Sequence, residues 1–300
     1  MTVEQALSSP PSVAELHSPP KQEDNLQVDF YIESRDDMKR DLVSGGLIEL
    51  FNDAKGIISD YHKSFWEYVN LVSHPMYWGY GLPRGDGSPV IYVGGLGTVE
   101  LNYLAPIHAM RKAGHNAKTF PWGGLNLGPI RDVGLRLKKF VKEEVEETGK
   151  KAKLVLHSLG GYEGLAFFDD NPEEFAGLVD EVVIDASPKP KRLNKALEFA
   201  YLVLTFWQSP ESYHALSERA ELLKDLENAQ ILKVTTIDSS SDPFIQGDPF
   251  GRAQDHYVIK DASHAGMASV KESVVITAHR FAGADIDPLK HPRIILPFAA

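Results

Sequence analysis

The spacing of apolar residues changes along the chain at about residue 90. Between residues 36 and 72 they recur every three or four positions, which is the period of an amphipathic helix. These positions are Leu47, Leu50, Phe51, Ala54, Ile58, Tyr61, Phe65, Tyr68, Val69 and Val72. We expect a helical extension over residues 29–80, with an N-cap at Asp36-Asp37 and breaks at Gly45-Gly46 and Gly56. Packing on the main domain is the expected role, and a membrane-surface or partner-binding helix is the alternative.

From residue 81 onward, short apolar runs alternate with helical segments. The predicted strands are Val90–Val93, Asn116–Phe120, Leu154–Leu156, Glu181–Ile184, Ile231–Ile237 and Tyr257–Lys260. The predicted helices are Tyr103–Ala113, Ile130–Thr148, a helix from Leu159, a long stretch within 190–228, and Lys271–Phe281. This alternation predicts an α/β fold with a mostly parallel sheet flanked by helices, over residues 81–300.

Two further segments differ in composition from this pattern. Residues 1–28 carry paired prolines among Ser, Gln, Glu and Asp, with too little apolar surface to offset the entropy of ordering, and we expect a disordered tail. Residues 189–230 are rich in aromatic side chains and follow the Glu181–Ile184 strand. We expect a helical cap over an apolar pocket there, with ordinary core helices as the alternative.

Composition excludes several kinds of partner. The 300 residues carry a formal net charge of -11, which would repel the phosphates of a nucleic acid. The most apolar long stretch, Ala196–Trp207, falls short of the roughly 20 residues that a spanning helix needs, and the N-terminus lacks the pattern of a signal peptide. With no cysteine, disulfides, thiol nucleophiles and cysteine-ligated metals are excluded, and a cytoplasmic setting is expected.

One serine stands between a predicted strand and a predicted helix. The stretch LVLHSLGGYEG places Ser158 directly after the strand and ahead of Gly160, Gly161 and Gly164. A turn this tight strains the central residue and leaves its hydroxyl above the sheet, with small neighbours required around it. A phosphate-binding loop or a simple close helix–strand contact is the alternative, although the motifs of nucleotide-binding loops are missing.

A nucleophilic serine needs a general base that a carboxylate orients. Asp242 follows the strand that ends at Ile237, and His264 follows the strand that ends at Lys260, so both lie in loops at strand ends. The chain order Ser158, Asp242, His264 is that of one hydrolase architecture. Asp185 also ends a strand and is the alternative acid, whereas Asp261 is expected to point away from the imidazole.

Four motifs in this order resemble those of an α/β-hydrolase of the esterase and lipase kind. They are VGGLG at 93–97, HSLGG at 157–161, SSSDP at 239–243 and SHAG at 263–266, and the resemblance covers residues 88–282. It implies that Ser158 is the nucleophile, that His264 is the general base and acid, and that Asp242 fixes the imidazole. It also implies an oxyanion hole made by the backbone N–H groups of Leu96 and Leu159. A simple strand-ending turn is the alternative for the glycines before Leu96.

One residue departs from the family pattern. Leu156 stands where the G-x-S-x-G elbow has its first glycine, and we expect Leu156→Gly to be tolerated. His157 is expected to line the elbow, and His108, His115, His256 and His279 to have structural or solvated roles. Glu163 is expected to face solvent, with the pocket mouth as the alternative.

These observations predict a serine esterase or lipase that needs no cofactor and no metal. The same triad would serve an acyltransferase, a thioesterase or a cofactor-free haloperoxidase, so these activities remain open. A non-catalytic binding protein of the same fold is a further alternative. The expected partner is a small-molecule or lipid ester, while the natural substrate and the oligomeric state cannot be read from the sequence.

Overall fold

The described residues form a seven-stranded sheet that carries the candidate site. The computed structural model describes residues 47–126, 128–167, 172–187, 232–243, 255–287 and 289–295, with the side chains described from residue 55 onward. The predicted tail at 1–28, the N-cap at 36–37, the break at 45–46 and the predicted cap at 189–230 lie outside the described residues. The strands are β1 (Pro89–Val93), β2 (Asn116–Thr119), β3 (Ala152–His157), β4 (Val179–Asp185), β5 (Lys233–Ser239), β6 (Asp255–Ile259) and β7 (Ile294–Ile295).

The strands are ordered β2-β1-β3-β4-β5-β6-β7, and all neighbours are parallel except β7, which pairs antiparallel with β6. Every residue of β1 and β3 is buried, as the apolar runs of a sheet covered on both faces require. The register aligns His157 of β3 with Asp185 of β4, and Asp185 with Ile237 of β5. The carboxyl ends of these strands therefore meet at one edge of the sheet, where ligands bind in open α/β folds.

Helices flank this sheet and mostly follow the sequence pattern. They are α1 (Leu47–Ser73), α2 (Leu104–Lys112), α3 (Ile130–Thr148), α4 (Leu159–Phe167), α5 (Pro172–Leu178) and α6 (Lys271–Phe281). The bounds of α3 and α6 are those predicted, and α4 begins at the predicted residue. Helix α5 and strand β7 were not predicted, because segments of seven and two residues are too short to show a period. Within the described residues, no helix combines the length and the apolar character needed to cross a membrane.

Helix α1 differs from the sequence prediction in two ways. It runs through Gly56 without a break, because its contacts with the domain outweigh the low helix propensity of one glycine. Its packed face is both apolar and polar: Leu71 and Asp60 are buried, whereas most of the apolar stripe described from residue 55 onward is exposed. The exposed apolar residues on the helix are Ile58, Tyr61, Phe65, Trp66, Val69 and Val72. The helix therefore packs on the domain as expected, but it does so through Leu71, Tyr68 and Asp60 rather than through most of the predicted stripe.

Candidate active site

Ser158 lies at a sharp turn between β3 and α4. Its φ of 52° is in the left-handed region that residues with a side chain rarely adopt. Two contacts fix this geometry: the Ser158 N–H donates to the carbonyl of Asp185 at 3.0 Å, and the Ser187 hydroxyl donates to the Ser158 carbonyl at 2.7 Å. A Cβ on Gly160 would lie 2.6 Å from the carbonyl oxygen of Val93, so only glycine fits there. The turn is thus a strained strand-to-helix connection that exposes the hydroxyl at the sheet edge.

The structure brings Ser158, His264 and Asp242 into one hydrogen-bonded chain. The Ser158 Oγ lies 3.0 Å from His264 Nε2, and the His264 Nδ1 lies 2.8 Å from Asp242 Oδ2. An Nδ1–H that donates to the carboxylate leaves Nε2 free to accept the serine proton. Burial lowers the pKa of His264, but the carboxylate charges of Asp242, Asp60 and Asp185 and the hydrogen bond to Asp242 outweigh burial and raise the pKa.

The two other acidic residues near His264 are placed differently. Asp185 is completely buried, and its Oδ2 accepts from the Ser273 hydroxyl at 3.2 Å. Burial raises its pKa to about 7, with no described hydrogen bond to an imidazole. Asp261 is exposed and forms an ion pair with Lys63. The carboxylate that contacts the His264 imidazole is therefore that of Asp242, as expected from the sequence. The side chain of Asp261 points away from the ring and towards Lys63, which was also expected.

A glycine-rich loop after β1 faces the serine. A Cβ on Gly95 would lie 2.8 Å from the Cβ of Ser158, so the backbone approaches the hydroxyl closely because this residue is glycine. Three N–H groups of this loop have acceptors: that of Gly95 donates to Tyr103 Oη, and that of Gly97 donates to the Asn126 carbonyl. The N–H of Thr98 donates to the Gly95 carbonyl. Among the described residues, no acceptor takes the N–H of Leu96.

The second expected oxyanion donor is Leu159. It is the first residue of α4, so its N–H lies in the turn where a helix provides no acceptor of its own. The positive end of the helix dipole adds to the attraction for negative charge at this point. The two expected donors are thus amides of a kind that can bind an oxyanion.

Tyr103 and His157 join three parts of the site. The Tyr103 hydroxyl accepts from the Gly95 N–H at 3.2 Å and lies 2.8 Å from His157 Nδ1, while His157 Nε2 lies 2.9 Å from the His264 carbonyl. Burial lowers the pKa of His157 to about 3, so this imidazole is neutral. A neutral ring with Nε2–H donating to the carbonyl accepts from Tyr103 at Nδ1. His157 lines the elbow, as expected from the sequence, whereas its contact with Tyr103, 54 positions away, has no signal in the local sequence.

Asn126 and Glu163 support the glycine-rich loop after β1 through hydrogen bonds. The Asn126 amide group donates to the Gly94 carbonyl at 2.9 Å and to Glu163 Oε2 at 3.0 Å, and its backbone exchanges hydrogen bonds with Gly97 and Thr98. Glu163 is completely buried, and burial raises its pKa to about 8. Both sequence expectations for Glu163, a solvent-facing side chain and one at the pocket mouth, are therefore wrong. All nine residues of the helix that carries it are buried.

Contacts outside the hydrogen-bonded chain of Ser158, His264 and Asp242 are described for His108, His115, His256 and His279. His108 stacks on Tyr77 with 4.2 Å between the ring centroids, and His115 is buried beside Gly85. His256 Nδ1 lies 2.8 Å from the Thr236 hydroxyl, and His279 Nδ1 lies 2.8 Å from the Val275 carbonyl. In the described part of the chain, no group of His, Asp and Glu has the arrangement of a metal site.

Comparisons with known proteins give similarity at the level of structure. No protein-family model and no curated protein matches the sequence. A mature lipase of Bacillus licheniformis is similar at 14% identity and a TM-score of 0.47, over 67% of this chain and 94% of that one. A soluble variant of a monoglyceride lipase from Saccharomyces cerevisiae is similar at 11% identity and a TM-score of 0.48, over 69% and 91%. An α/β-hydrolase enzyme from a metagenome of lagoon sediments at Mar Chica, Morocco, is similar at 22% identity and a TM-score of 0.43, over 66% and 91%.

At these identities, similarity concerns the fold alone, and the assignment depends on the chain's own geometry. Six parallel strands follow the order β2-β1-β3-β4-β5-β6, with the strained Ser158 at the end of the central strand β3. The sequence motifs predicted this architecture. The chain has the α/β-hydrolase fold.

Proposed function

We propose that this protein is a serine hydrolase that cleaves carboxylic esters through an acyl-serine intermediate. The observation that carries the proposal is the continuous hydrogen-bonded chain from the Ser158 hydroxyl through His264 to Asp242, with distances of 3.0 and 2.8 Å. Such a chain lets a neutral imidazole take the serine proton while the carboxylate stabilises the imidazolium that forms.

The reaction follows from the positions of these atoms. As Ser158 Oγ bonds to the ester carbonyl carbon, its proton passes to His264 Nε2 and the carbonyl oxygen becomes an oxyanion. The N–H groups of Leu96 and Leu159 bind this oxyanion, each contributing on the order of 3 kcal/mol to the transition state. When the carbon–oxygen bond to the leaving alcohol breaks, His264 returns the proton to that alcohol. Water then repeats these steps on the acyl-serine and releases the carboxylic acid.

Two features of the site fit this role. Asp242 has a side chain only 3% exposed, so its hydrogen bond to His264 is shielded from water. The raised pKa of His264 matches a base that must become positively charged during the reaction. A cap formed by residues 189–230 would supply the acyl pocket, and this part of the proposal depends on the sequence pattern alone.

A series of p-nitrophenyl esters of increasing acyl length tests the function. We expect wild-type protein to release p-nitrophenol and Ser158→Ala to lose about 10³-fold or more of this activity. Ser73→Ala is the matched control, because the Ser73 hydroxyl lies on the exposed end of α1 and bonds only to carbonyls of its own helix. Adding an acceptor alcohol separates hydrolysis, which gives the free acid, from acyl transfer, which gives a new ester. Absence of turnover with every ester would contradict the proposal and favour a binding role.

A further inference from the structure

We propose that helix α1 is a positioning element of the catalytic centre, which acts through Asp60 by fixing the backbone of the base His264. The proposal goes beyond the assigned triad and rests on the proposed function, since it concerns the alignment of its base. Helix α1 precedes the α/β sheet in the chain, and no local sequence motif connects it with the triad.

The Asp60 carboxylate binds the histidine loop directly. Its Oδ1 accepts from the His264 N–H and its Oδ2 accepts from the Ala265 N–H, both at 2.8 Å. Each oxygen therefore holds one of two successive backbone donors, a fork that fixes the orientation of both peptide groups. Asp60 is only 5% exposed, which keeps water from competing for these donors.

A second acidic side chain of α1 binds the preceding residue. The Glu67 carboxylate accepts from the Ser263 N–H at 3.2 Å and also from the Ser263 hydroxyl. Residues 263–265 thus present three consecutive backbone N–H groups to two carboxylates on one face of α1. This contact explains the acidic residues on the packed face of the helix: the loop offers donors, and only acceptors can satisfy them when they are buried.

The same helix also reaches the loop that carries the acid. The Lys63 ammonium forms an ion pair with Asp261 and lies 3.4 Å from the hydroxyl of Ser241, the residue before Asp242. A Cβ on Gly56 would lie 3.7 Å from the Cβ of Pro243, so α1 passes beside the residue after Asp242 as well. Helix α1 therefore contacts both loops whose separation sets the hydrogen bond between His264 and Asp242.

The peptide groups of His264 are held from opposite directions. Asp60 takes the N–H, and His157, from the turn that carries the serine, contacts the carbonyl at 2.9 Å. Asp60 also acts through its charge, which helps to raise the pKa of His264. The other groups facing the imidazole are Asp242 from the β5 loop, Asp185 from β4, and the neutral His157 from β3.

These contacts predict two separate effects of Asp60→Asn. The asparagine retains one acceptor but turns an NH₂ group towards the second backbone N–H, so the loop must shift and the imidazole loses its alignment with Ser158. Loss of the negative charge also lowers the pKa of His264. A merely structural residue would change the stability of the protein without moving that pKa.

The rate of labelling by a fluorophosphonate, followed by intact-protein mass spectrometry from pH 5 to pH 9, measures both effects. We expect Asp60→Asn to slow labelling by about tenfold at the plateau, as small misplacements of reacting groups do. We also expect the acidic limb of the pH profile to move to lower pH in Asp60→Asn, and to return towards the wild-type position in Asp60→Glu, which restores the charge. Asp132→Asn is the control, because Asp132 is an exposed carboxylate on α3.

The possible outcomes are distinct. A folded Asp60→Asn variant with a labelling rate within twofold of wild type and an unmoved acidic limb would overturn the positioning role. Wild-type protein that fails to label at any pH would overturn the proposed hydrolase function itself, and the positioning role with it. If Asp60→Asn does not fold, Glu67→Gln tests the same clamp through Ser263, and a labelling rate equal to that of wild type would then overturn it.

Discussion

The side chain of Leu156 fills the space beside Gly164, six residues after Ser158. A Cβ built on Gly164 would overlap Cδ1 of Leu156 and lie 3.0 Å from Cδ2. The G-x-S-x-G motif has glycine at the position of Leu156. A leucine fits here because Gly164, on the helix after Ser158, has no side chain and leaves space for it. The large side chain of Leu156 and the absent side chain of Gly164 therefore complement each other.

The burial of Leu156 changes the expectation for Leu156→Gly. The side chain is 2% exposed, and its removal leaves a cavity as well as a flexible residue in a central strand. We expect a loss of about 3 to 5 kcal/mol in the free energy of unfolding, measured with urea. Leu289→Gly is the control, because Leu289 is 91% exposed. A change below about 1 kcal/mol in Leu156→Gly would show that the elbow does not depend on this contact.

Coupling between the two residues gives a second prediction. Gly164→Ala alone should destabilise the protein by up to about 2 kcal/mol, since overpacking costs about 1 to 3 kcal/mol and the gain in helix propensity offsets roughly 1 kcal/mol. In a Leu156→Ala background, the added methyl group has room, and the same change should become neutral or stabilising. A double-mutant cycle in urea measures this coupling, which we expect to exceed about 0.5 kcal/mol. Additive effects would contradict the pairing.

Tyr103→Phe should lower esterase activity without unfolding the protein. The change removes the hydroxyl that accepts from Gly95 and contacts His157, so the loop that presents the Leu96 N–H loses one of its supports. We expect kcat/KM for a p-nitrophenyl ester to fall about tenfold, mainly through kcat, because the oxyanion forms only in the transition state. Tyr80→Phe, at a tyrosine that is 71% exposed, is the control. Equal losses in both variants, or none in Tyr103→Phe, would remove Tyr103 from this role.

Glu163→Gln should change how stability depends on pH. Burial raises the pKa of Glu163 to about 8, so the folded protein retains a proton that the unfolded chain releases near pH 4.5. The stability contributed by this group is fully present below pH 4.5 and is lost as the pH rises through about 8. Within that window the loss is about 1.4 kcal/mol per pH unit, and glutamine, which stays neutral, avoids it.

Urea unfolding of both proteins at pH 5, 7 and 9 measures this difference. We expect the wild type to lose more free energy of unfolding than Glu163→Gln as the pH rises, since Asp185 and the other titrating groups are common to both proteins. The control, Glu173→Gln, changes an exposed carboxylate on α5 and should follow the wild type. Parallel pH profiles for the wild type and Glu163→Gln would contradict the raised pKa.

Substitution of Asp242 and of Asp185, which both follow strands, tests which aspartate is the acid of the triad. We expect Asp242→Asn to lower kcat by about 10³-fold or more, because the amide favours the wrong tautomer of His264. Asp185→Asn should retain activity within a few-fold, since Asp185 bonds to the Ser273 hydroxyl whereas the His264 Nδ1 contacts Asp242. A large loss in Asp185→Asn, with little in Asp242→Asn, would reverse the assignment of the acid.

The sequence predicted the helices and strands that have a regular apolar period, and it predicted which candidate residues follow the ends of strands. Alternation of apolar runs and helices placed Ser158, Asp242 and His264 in three loops, and parallel pairing brings those loops to one edge of the sheet. The role of the amides of Leu96 and Leu159 remains a prediction from the motifs.

The contacts of α1 could not be predicted in the same way. Asp60 and His264 are 204 positions apart, and the partner of the carboxylate is backbone, which leaves no trace in side-chain identity. The apolar stripe of α1 did not identify the packed face correctly, because periodicity reports which side chains are apolar and not which surface receives the helix. Burial of Glu163 was missed because the neighbours that cover it come from distant segments, such as Asn126.

The central claim is that Ser158 is a nucleophile activated by His264 and Asp242. Reaction with diisopropyl fluorophosphate, followed by peptide mapping with mass spectrometry, tests it most directly. We expect one phosphoryl adduct on Ser158 in the wild type, none in Ser158→Ala, and much slower labelling in His264→Ala. An adduct on another serine, or labelling of Ser158 at the same rate without His264, would contradict it.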